Sequence, residues 1–557
     1  MQSYLLFINA AFIFSFCLGG EPDTSGAARD PKNAPGFQGI YNIPNEPKYA
    51  YQEALHKSFI FYHAQRSGKI DEHRLAWRSD SCIECKGKFG ENLSGGWYEA
   101  ANTMKWTQPF SWTVTQLAYS VYQFGNAMAW VNEKAEAMKV VKWGADYLMN
   151  AHPKPNVLVG LFGLDGDDQA DIDFMYFGPP EEFEKGVPRG IQKEAYYVDE
   201  TKPASEMAGQ ASAALAVTSI IFRDTDPVYA DKALQHSREL FDFANRFRGS
   251  FVNIDELPFR RTKKWYPSTS YIDELAWSAA WLFAATKEPT YLQAATENLK
   301  GGGSEYSWDD QDGATAVLLY KLTGQAEFLS KANDFLSQFL PNGTTKQTAK
   351  GLSYKESWGV LRYASNHAYL ALAHADTLSS STDGKTEQGQ AFVLALRTFA
   401  CQQINYILGD TGLSYVVGFG KNSVKIPYHK SSYNSFIDFP MRGSTNEAQR
   451  EDFESGTPQR FILYGALVGG PDVNDQYSDT RKDYTFSEVT QDYNAGYTGA
   501  LAGMIDYYIS HGSNFIPSND VELQLDLGWS HPNAIQTLKP SYPLDDCYHL
   551  NVPCNIK

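Results

Sequence analysis

Apolar residues recur with a helical period along most of the chain. Phe392, Ala395, Leu396 and Phe399, for example, fall on one helix face, because residues three or four apart lie together. About twelve such segments lie between residues 46 and 511, and no strand-rich region interrupts them for long. They are 109–124, 133–150, 205–222, 227–247, 271–285, 290–300, 313–322, 325–340, 358–376, 388–408, 460–468 and 487–510.

A dozen helices in one uninterrupted domain, joined by alternately short and long loops, indicate an all-α fold. The expected architecture is six helical hairpins closed into a ring, an (α/α)6 barrel over residues 46–514, although no exact sequence repeat supports it. The segment 515–557 carries five prolines and two cysteines. It is predicted to be an irregular C-terminal tail packed on the barrel.

The first residues are typical of a secretory signal peptide, which we assign to 1–20. The apolar run from Leu5 to Leu18 is too short for a membrane-spanning helix of about 20 residues. Because the run lacks a basic flank, an uncleaved anchor is the alternative. Residues 21–45 are rich in Pro, Gly, Asp and Asn and are predicted to be a linker. The mature protein is therefore expected to be secreted, with no span.

Signal removal leaves five cysteines, Cys82, Cys85, Cys401, Cys547 and Cys554. In an oxidising compartment, Cys82–Cys85 and Cys547–Cys554 are plausible local disulfides, with Cys401 a buried thiol in a helix. A lone CxxC without a second pair does not predict a zinc site. No cofactor is expected. The alternative is a Ca²⁺ ion at the oxygen-rich loop 472–475, although its spacing is not that of an EF-hand.

The charge balance is acidic, with 48 Lys and Arg against 65 Asp and Glu, a formal net charge of −17. A nucleic-acid partner or an anionic membrane surface is therefore not expected. Aromatic residues make up 14% of the chain, many of them in polar stretches. Such surfaces suit sugar rings, which stack on aromatic faces, although burial in the core is the common fate of an aromatic side chain.

One long segment carries a recognisable motif. Residues 469–479 read GGPDVNDQYSD, and the pattern continues through Tyr484 and Glu488 to DYNAG at 492–496. This resembles the C-terminal signature of glycoside hydrolase family 9, the inverting cellulases, at every fixed position. The resemblance implies an (α/α)6 barrel that acts on β-1,4-glucan. Further matching segments are 205–209, 273–277, 306–309, 358–363 and 408–420.

Inversion at a glycosidic carbon needs two carboxyl groups about 6.5–9.5 Å apart, one protonated and one ionised. The resemblance assigns the acid to Glu488 and gives Asp479 an orienting role. For Glu488 the alternative is a capping box, in which residues 485–488 open a helix and the carboxylate only satisfies backbone N–H groups. For Asp479 the alternative is a turn carboxylate at the side of a loop.

The water-activating side departs from the family pattern. Family members read Gly-Gly-Tyr-Tyr-Asp-Ala-Gly-Asp, with the second Asp as general base, whereas residues 95–102 read GGWYEAAN. Glu99 replaces the first Asp and Asn102 the second. An amide has no basic lone pair for proton removal, and a general base is commonly worth about 10²–10⁴ in rate. The sequence therefore indicates that the base has been lost unless Glu99 has taken its place.

Two further segments depart in the same direction. Where the family has a His-x-Arg that grips substrate hydroxyls, this chain has Tyr428, His429 and Lys430, and lysine lacks the planar fork of arginine. In the segment 171–179 the family's His after the first Asp is missing. By resemblance, the remaining predicted substrate contacts are Trp308, Tyr306, Trp277 and Trp106. Of these, Trp308 is expected to be exposed in a groove, while Trp112 and Trp281 are expected in the core.

Three functions remain open at this level. The first is a secreted protein that binds β-1,4-glucan or a related polysaccharide with hydrolysis lost or strongly reduced, as a glycan-binding or extracellular structural component. The second is an active inverting endo-β-1,4-glucanase with Glu488 as acid and Glu99 as base. The third is a protein-binding structural subunit with matrix or filament partners.

Overall fold

The computed structural model describes residues 43–72, 74–75, 77–163, 172–186, 193–433, 447–457 and 459–512. The predicted signal peptide, nearly all of the linker, and the tail with Cys547 and Cys554 lie outside the described residues. Within those ranges no helix has both the length and the apolar character needed to cross a bilayer.

Twelve helices of ten or more residues alternate between an outer and an inner ring across the described ranges. The six inner helices contact one another in chain order and the last contacts the first, so the ring is closed. The predicted all-α (α/α)6 barrel is therefore confirmed. The outer helices are Tyr51–Gln65, Lys134–Ala151, Pro227–Arg246, Pro289–Asn298, Ala326–Ser337 and Glu387–Asn405. The inner helices are Thr107–Trp130, Ser205–Phe222, Ile272–Thr286, Asp312–Thr323, Val360–Ser380 and Gln491–Ser510.

Shorter elements complete the described chain. Strands β1 (Lys105–Trp106), β2 (Val157–Gly163) and β3 (Glu194–Asp199) form an antiparallel sheet, and β4 (Lys346–Gln347) pairs with β5 (Ser353–Tyr354). The short helices are Ile172–Met175, Pro180–Gly186, Leu257–Trp265, Lys430–Tyr433, Glu447–Glu454 and Tyr484–Ser487. The 3₁₀ turns are Phe251–Asn253 and Asp383–Lys385, and Tyr406–Asp410 forms a π-helical turn.

Composition explains which helices lie inside. The inner helix Ser205–Phe222 is buried on nearly every side and consists largely of small and apolar residues. The outer helix Pro227–Arg246 has one buried apolar stripe and a polar outer face. Glycine allows the closest approach between inner helices, because a Cβ at Gly499 would lie 2.6 Å from the ring of Tyr369.

Most helix predictions are confirmed within a few residues, but one predicted helix is wrong and one long helix was missed. The segment 460–468 is not helical, because its backbone pairs with residues 415–417, as in the bond from the Val417 N–H to the Ala466 carbonyl at 2.9 Å. The helix Tyr51–Gln65 was not predicted. Since nearly all of its residues are buried, including His56, Lys57 and His63, it shows no apolar stripe.

Two cysteine predictions are confirmed. Cys82 and Cys85 form a disulfide, and Cys401 is a buried thiol outside that disulfide, within the helix Glu387–Asn405. The disulfide lies beside the segment that leads into β1, where the Lys105 amine approaches the Cys82 sulfur at 3.9 Å and donates to the Leu93 carbonyl at 2.6 Å. Strand β1 then pairs with β2, which positions the preceding turn 99–102.

Candidate functional site

Glu488 has an extended backbone and lies between two helices. The four-residue helix Tyr484–Ser487 ends directly before it, and the inner helix Gln491–Ser510 begins three residues later. The backbone N–H of Glu488 donates to the Tyr484 carbonyl at 3.0 Å. The capping-box alternative is therefore wrong, because Glu488 follows a helix instead of opening one. Its carboxyl is free to act on something other than backbone amides.

The Glu488 carboxyl accepts a hydrogen bond from the Trp358 indole N–H at 2.8 Å. Burial raises the pKa of Glu488 to about 7, and the charge of Asp492 acts in the same direction. The Trp358 hydrogen bond and the cations Arg362 and Lys430 offset part of that rise. At neutral pH this carboxyl therefore exists in comparable amounts as acid and as carboxylate.

Asp479 lies outside hydrogen-bonding contact with Glu488 and instead anchors a neighbouring segment. Its two carboxylate oxygens accept from the backbone N–H groups of Lys425 and Ile426, at 2.8 and 2.9 Å. That segment continues to Tyr428, whose N–H donates to the Ser487 carbonyl at 2.8 Å. Asp479 thus holds residues 425–428 alongside the residue that precedes Glu488.

The turn at residues 99–102 faces the same place from another part of the chain. The Asn102 N–H closes the turn onto the Glu99 carbonyl at 2.8 Å, and Ala100 adopts a left-handed φ of 46°. A non-glycine residue in that region is uncommon and indicates a turn shaped by its surroundings. The Asn102 side-chain oxygen accepts from the Lys430 amine at 2.8 Å. The structure therefore brings together two of the positions at which the chain departs from the family pattern, Asn102 and Lys430.

Lys430 is 1% exposed and also donates to the Phe174 carbonyl. Its amine lies 4.4 and 4.9 Å from the ring centres of Phe174 and Phe177. Burial lowers the pKa of Lys430 to about 7, although the charges of Asp173 and Glu488 oppose the shift. The amine is therefore held in an aromatic pocket against the Asn102 amide.

A buried polar cluster supports this pocket. Asp173 is fully buried, accepts from the Thr103 hydroxyl, and pairs with the Lys193 amine at 3.1 Å. Lys193 also donates to the Thr103 carbonyl. Residue 171, at the position before the expected histidine, lies outside the described ranges, so that departure has no structural account.

Glu99 is 1% exposed, and its carboxyl oxygens contact three polar side chains. One carboxyl oxygen lies 2.7 Å from the Tyr266 hydroxyl and 2.9 Å from the Thr490 hydroxyl, and the other accepts from the Gln491 amide at 2.5 Å. Burial raises the pKa of Glu99 to about 8, with Asp492 adding to the rise. At neutral pH the group is mainly protonated.

Four tryptophan and tyrosine side chains predicted to contact substrate are buried in the barrel, and the exposure predicted for Trp308 is wrong. Trp277 lies within an inner helix and is fully buried, and Tyr306 is fully buried with its hydroxyl on the Gln116 side chain at 2.6 Å. Trp308, expected in a groove, is only 6% exposed, and Trp106 is equally enclosed. These rings pack on neighbouring helices and loops, so they offer a ligand no open face. The predicted core positions of Trp112 and Trp281 are confirmed.

His429 is likewise buried, so the expected substrate contact is not available. Its Nδ1 accepts from the Ser432 N–H at 3.1 Å, and its Nε2 therefore donates to the Gln65 side-chain oxygen at 2.9 Å. Burial lowers the pKa of His429 to about 3. Its neighbour Tyr428 is only partly buried and packs edge-on against Tyr484. Of the three predicted residues in this segment, Tyr428 is the accessible one.

A line of partly exposed rings, which we call the aromatic strip, runs past Glu488. It consists of Trp265, Trp358, Tyr484 and Tyr428, with successive ring centres 5.8, 5.4 and 6.0 Å apart. Trp265 is 38% and Tyr484 45% exposed. Trp358 and Tyr484 are motif positions in the sequence, but neither was predicted to contact substrate. Residue type carried no signal of exposure, because the buried tryptophans also lie beside polar residues.

In the described part of the chain, one group of side chains could offer three ligand atoms to a metal ion. Only His63, Glu72 and Glu136 there bring three ligand atoms within 4.8 Å of one another. Arg74 donates to Glu136 at 2.8 Å and Lys139 to Glu72 at 2.6 Å, so the carboxylates already have cationic partners. In the suggested calcium loop, one oxygen of Asp475 accepts from the Tyr406 hydroxyl and the other from the Lys350 N–H. Asp472 accepts from two backbone N–H groups.

Two relatives of known name match most of the chain. Endoglucanase A of Bacillus pumilus is 36% identical over 494 residues, which cover 85% of this chain and 69% of that protein. Endoglucanase 19 of Arabidopsis thaliana is 34% identical over 481 residues, 82% of this chain and 74% of that protein.

Two solved structures of endoglucanases are also similar to this chain. The endoglucanase from the termite Nasutitermes takasagoensis superimposes with a TM-score of 0.72 at 36% identity, over 83% of this chain and all of that chain. Endoglucanase CelQ from Clostridium thermocellum, complexed with cellobiose and cellotriose, gives a TM-score of 0.70 at 28% identity, over 84% and 72% of the two chains. The sequence model that describes glycosyl hydrolase family 9 matches residues 51–501, and the chain therefore belongs to this family.

Proposed function

We propose that this protein binds β-1,4-glucan or a related polysaccharide along the aromatic strip, with hydrolysis lost or strongly reduced. The observation that carries the proposal is the contact between Asn102 and Lys430. At the position of the family's general base stands an amide, and its oxygen accepts from a buried amine at 2.8 Å. Neither group offers a carboxylate to activate water.

The surroundings of Glu488, the predicted acid, also support ligand binding. The Glu488 carboxyl has a pKa of about 7 and lies against Trp358, whose ring continues the aromatic strip. A partly protonated carboxyl beside exposed aromatic rings suits a sugar, which offers hydroxyls to the carboxyl and C–H faces to the rings. The related CelQ structure contains cellobiose and cellotriose, in keeping with this class of ligand.

The active-enzyme alternative is favoured by the endoglucanase names of the relatives. It requires Glu99 as base, yet the surroundings of Glu99 oppose that role. Its oxygens are in contact with Tyr266, Thr490 and Gln491, and burial raises its pKa to about 8, so it is mainly protonated at neutral pH. A protonated carboxyl cannot remove a proton from water. We therefore place this alternative second.

Secretion follows from the predicted signal peptide and suits a polymeric extracellular ligand. A glycan-binding or extracellular structural role is consistent with both. No cofactor is part of the proposal. A purely protein-binding role, with matrix or filament partners, is the third candidate, and absence of glycan binding would favour it.

The test compares binding and turnover in the same samples. Purified protein is incubated with soluble β-1,4-glucan and cello-oligosaccharides, reducing-end release is measured, and ligand binding is measured by calorimetry. Glu488→Gln serves as the blank, and Asp506→Asn is a matched control. Asp506 is a half-buried carboxyl with a raised pKa on the helix Gln491–Ser510, about 21 Å along that helix from Asp492.

Binding without turnover above the blank is the expected result. Substantial turnover that Glu488→Gln abolishes and Asp506→Asn preserves would refute the loss of hydrolysis. If turnover is also lost in Glu99→Gln, the active alternative with Glu99 as base would replace the proposal.

A further inference from the structure

Behind the aromatic strip, a chain of buried hydrogen bonds joins three separate parts of the molecule. Glu99, in the turn 99–102, contacts Tyr266, which follows the helix Leu257–Trp265. It also contacts Thr490 and Gln491 at the start of the inner helix Gln491–Ser510. Thr490 is only two residues beyond Glu488. Glu99 is therefore the junction between the segment that carries Glu488 and the residues around Tyr266.

The number of hydrogens available to these hydrogen bonds decides which group is protonated. The Thr490 hydroxyl lies 2.9 Å from a Glu99 oxygen and 2.5 Å from an Asp492 oxygen, but a hydroxyl has only one hydrogen to donate. Asp492 pairs with Arg362 at 2.8 Å, so the negative charge belongs on Asp492 and Thr490 donates to it. The Glu99–Thr490 contact then requires a proton on Glu99. Glu99 donates to Thr490, and Thr490 donates to Asp492.

The same Glu99 oxygen accepts from the Tyr266 hydroxyl. The Tyr266 ring packs edge-on against both Trp106 and Trp308, with ring centres 5.1 Å away in each case. Tyr266 directly follows Trp265, the first ring of the aromatic strip. The position of Trp265 therefore depends on a tyrosine that Glu99 holds in place.

We propose that Glu99 is a protonated positioning residue that couples the aromatic strip to the Glu488 segment, so that glucan binding requires Glu99 in its neutral form. The inference rests on the proposed function, since glucan binding is one of its readouts. The bonds that define it involve Tyr266, Thr490 and Gln491, and no water-activating step is assigned to Glu99.

The consequence for pH follows from the groups that face Glu99. Asp492 and Tyr266 are its titratable neighbours, Arg362 lies beyond Asp492, and Glu488 is the next carboxyl along the chain. Burial, the largest effect, and the charge of Asp492 raise the pKa of Glu99 to about 8. Above that pH two carboxylates compete for the single hydrogen of Thr490 and repel each other. The junction is therefore intact below pH 8 and disrupted above it.

The first measurement is the affinity for cellotetraose by calorimetry between pH 6 and 9.5. If only the neutral form binds, the apparent Kd of the wild type rises by up to about tenfold per pH unit above the pKa. Glu99→Gln is the decisive variant, because a glutamine carries no charge: the two hydrogens of its NH2 group can be donated to Thr490 and to the Tyr266 oxygen, and its carbonyl accepts from Gln491. We expect it to bind within about twofold of wild type at pH 6, with no loss between pH 8 and 9.5.

Controls separate Glu99 from other titrating groups. The same series in a Glu488→Gln background removes the ionisation of Glu488 and should still show the loss above pH 8. Asp506→Asn should keep the wild-type profile. Tyr266→Phe, which keeps the ring but lacks the hydroxyl, should weaken binding at every pH. A flat wild-type profile, or a loss of binding greater than tenfold in Glu99→Gln at pH 6, would overturn the proposal.

A second readout needs no ligand. The ¹³C resonance of the Glu99 carboxyl, assigned by its absence from Glu99→Gln, is followed as a function of pH. A midpoint near 8 is expected, and a midpoint below 6 would overturn the protonation of Glu99 whether or not glucan binds. If the wild type binds no glucan, the proposed function and the required coupling to binding both fail, while this titration still decides the protonation state of Glu99.

Discussion

Replacement of Asn102 by aspartate restores the residue type of the family's base and tests why the site is impaired. A general base is worth about 10²–10⁴ in rate. The Lys430 amine, however, lies 2.8 Å from the Asn102 oxygen and would form an ion pair with the new carboxylate. An opposite charge at that distance lowers a carboxyl pKa by about 1–3 units. If each unit by which the pKa falls slows proton removal by up to tenfold, most of the gain in rate from the new base disappears.

We therefore expect Asn102→Asp to raise turnover only about tenfold over wild type. In Asn102→Asp/Lys430→Met the ion pair is absent, and a further gain of about 10–10³ should follow from the 1–3 units of pKa recovered. Lys430→Met alone should gain nothing, because it supplies no base. Turnover is measured as reducing-end release from cello-oligosaccharides, with Glu488→Gln as the blank. A single variant that gains 10³-fold, or a double variant no faster than the single one, would refute the reasoning.

Three further results are expected. Trp358→Phe removes the N–H that donates to the Glu488 carboxylate, so the pKa of Glu488 should rise above 7 by about 1–2 units. Titration of the carboxyl ¹³C resonance would show this rise, and an unchanged midpoint would contradict the assigned contact. Trp265→Ala, which shortens the aromatic strip, should weaken cellotetraose binding by about 0.5–1.5 kcal/mol in calorimetry, and an unchanged affinity would exclude Trp265 as a sugar contact. Folding stability should fall as pH rises from 6.5 to 8. The buried carboxyls of Glu99 and Asp273 have pKa values of about 8, so their neutral forms stabilise the fold at low pH. This contribution is lost as pH rises through the folded pKa, by up to about 1.4 kcal/mol per pH unit for each carboxyl. Thermal melts over that range would test this, and a rising Tm would contradict it.

Helix content was readable from the sequence wherever a helix has a distinct solvent side or a clear boundary. Ser205–Phe222 was predicted to the residue, and Pro227–Arg246 to within one. The helix Tyr51–Gln65 was missed because its buried residues include His56, Lys57 and His63, so its sequence is neither amphipathic nor uniformly apolar as that of Ser205–Phe222 is. Residues 460–468 have helical spacing, yet they form a loop with a turn at 464–465, because residues 415–417, remote in sequence, pair with their backbone.

The functional site divides in the same way. Residue type alone showed that an amide stands at the base position and a lysine at the arginine position. It could not show that these two side chains meet, because the contact joins positions 328 residues apart. Nor could it distinguish the buried Trp308 from the exposed Trp265, since both lie beside polar residues and only packing covers one of them.

The sequence by itself determined the family, the barrel of helices and the absence of a carboxylate at position 102, since these follow from local pattern and residue identity. Only the tertiary structure decided which rings are exposed, which amine contacts Asn102 and whether Glu99 is charged. Those properties depend on burial and on hydrogen-bond partners up to 392 residues away, and a charge state in particular is decided by the donors and charges around a group.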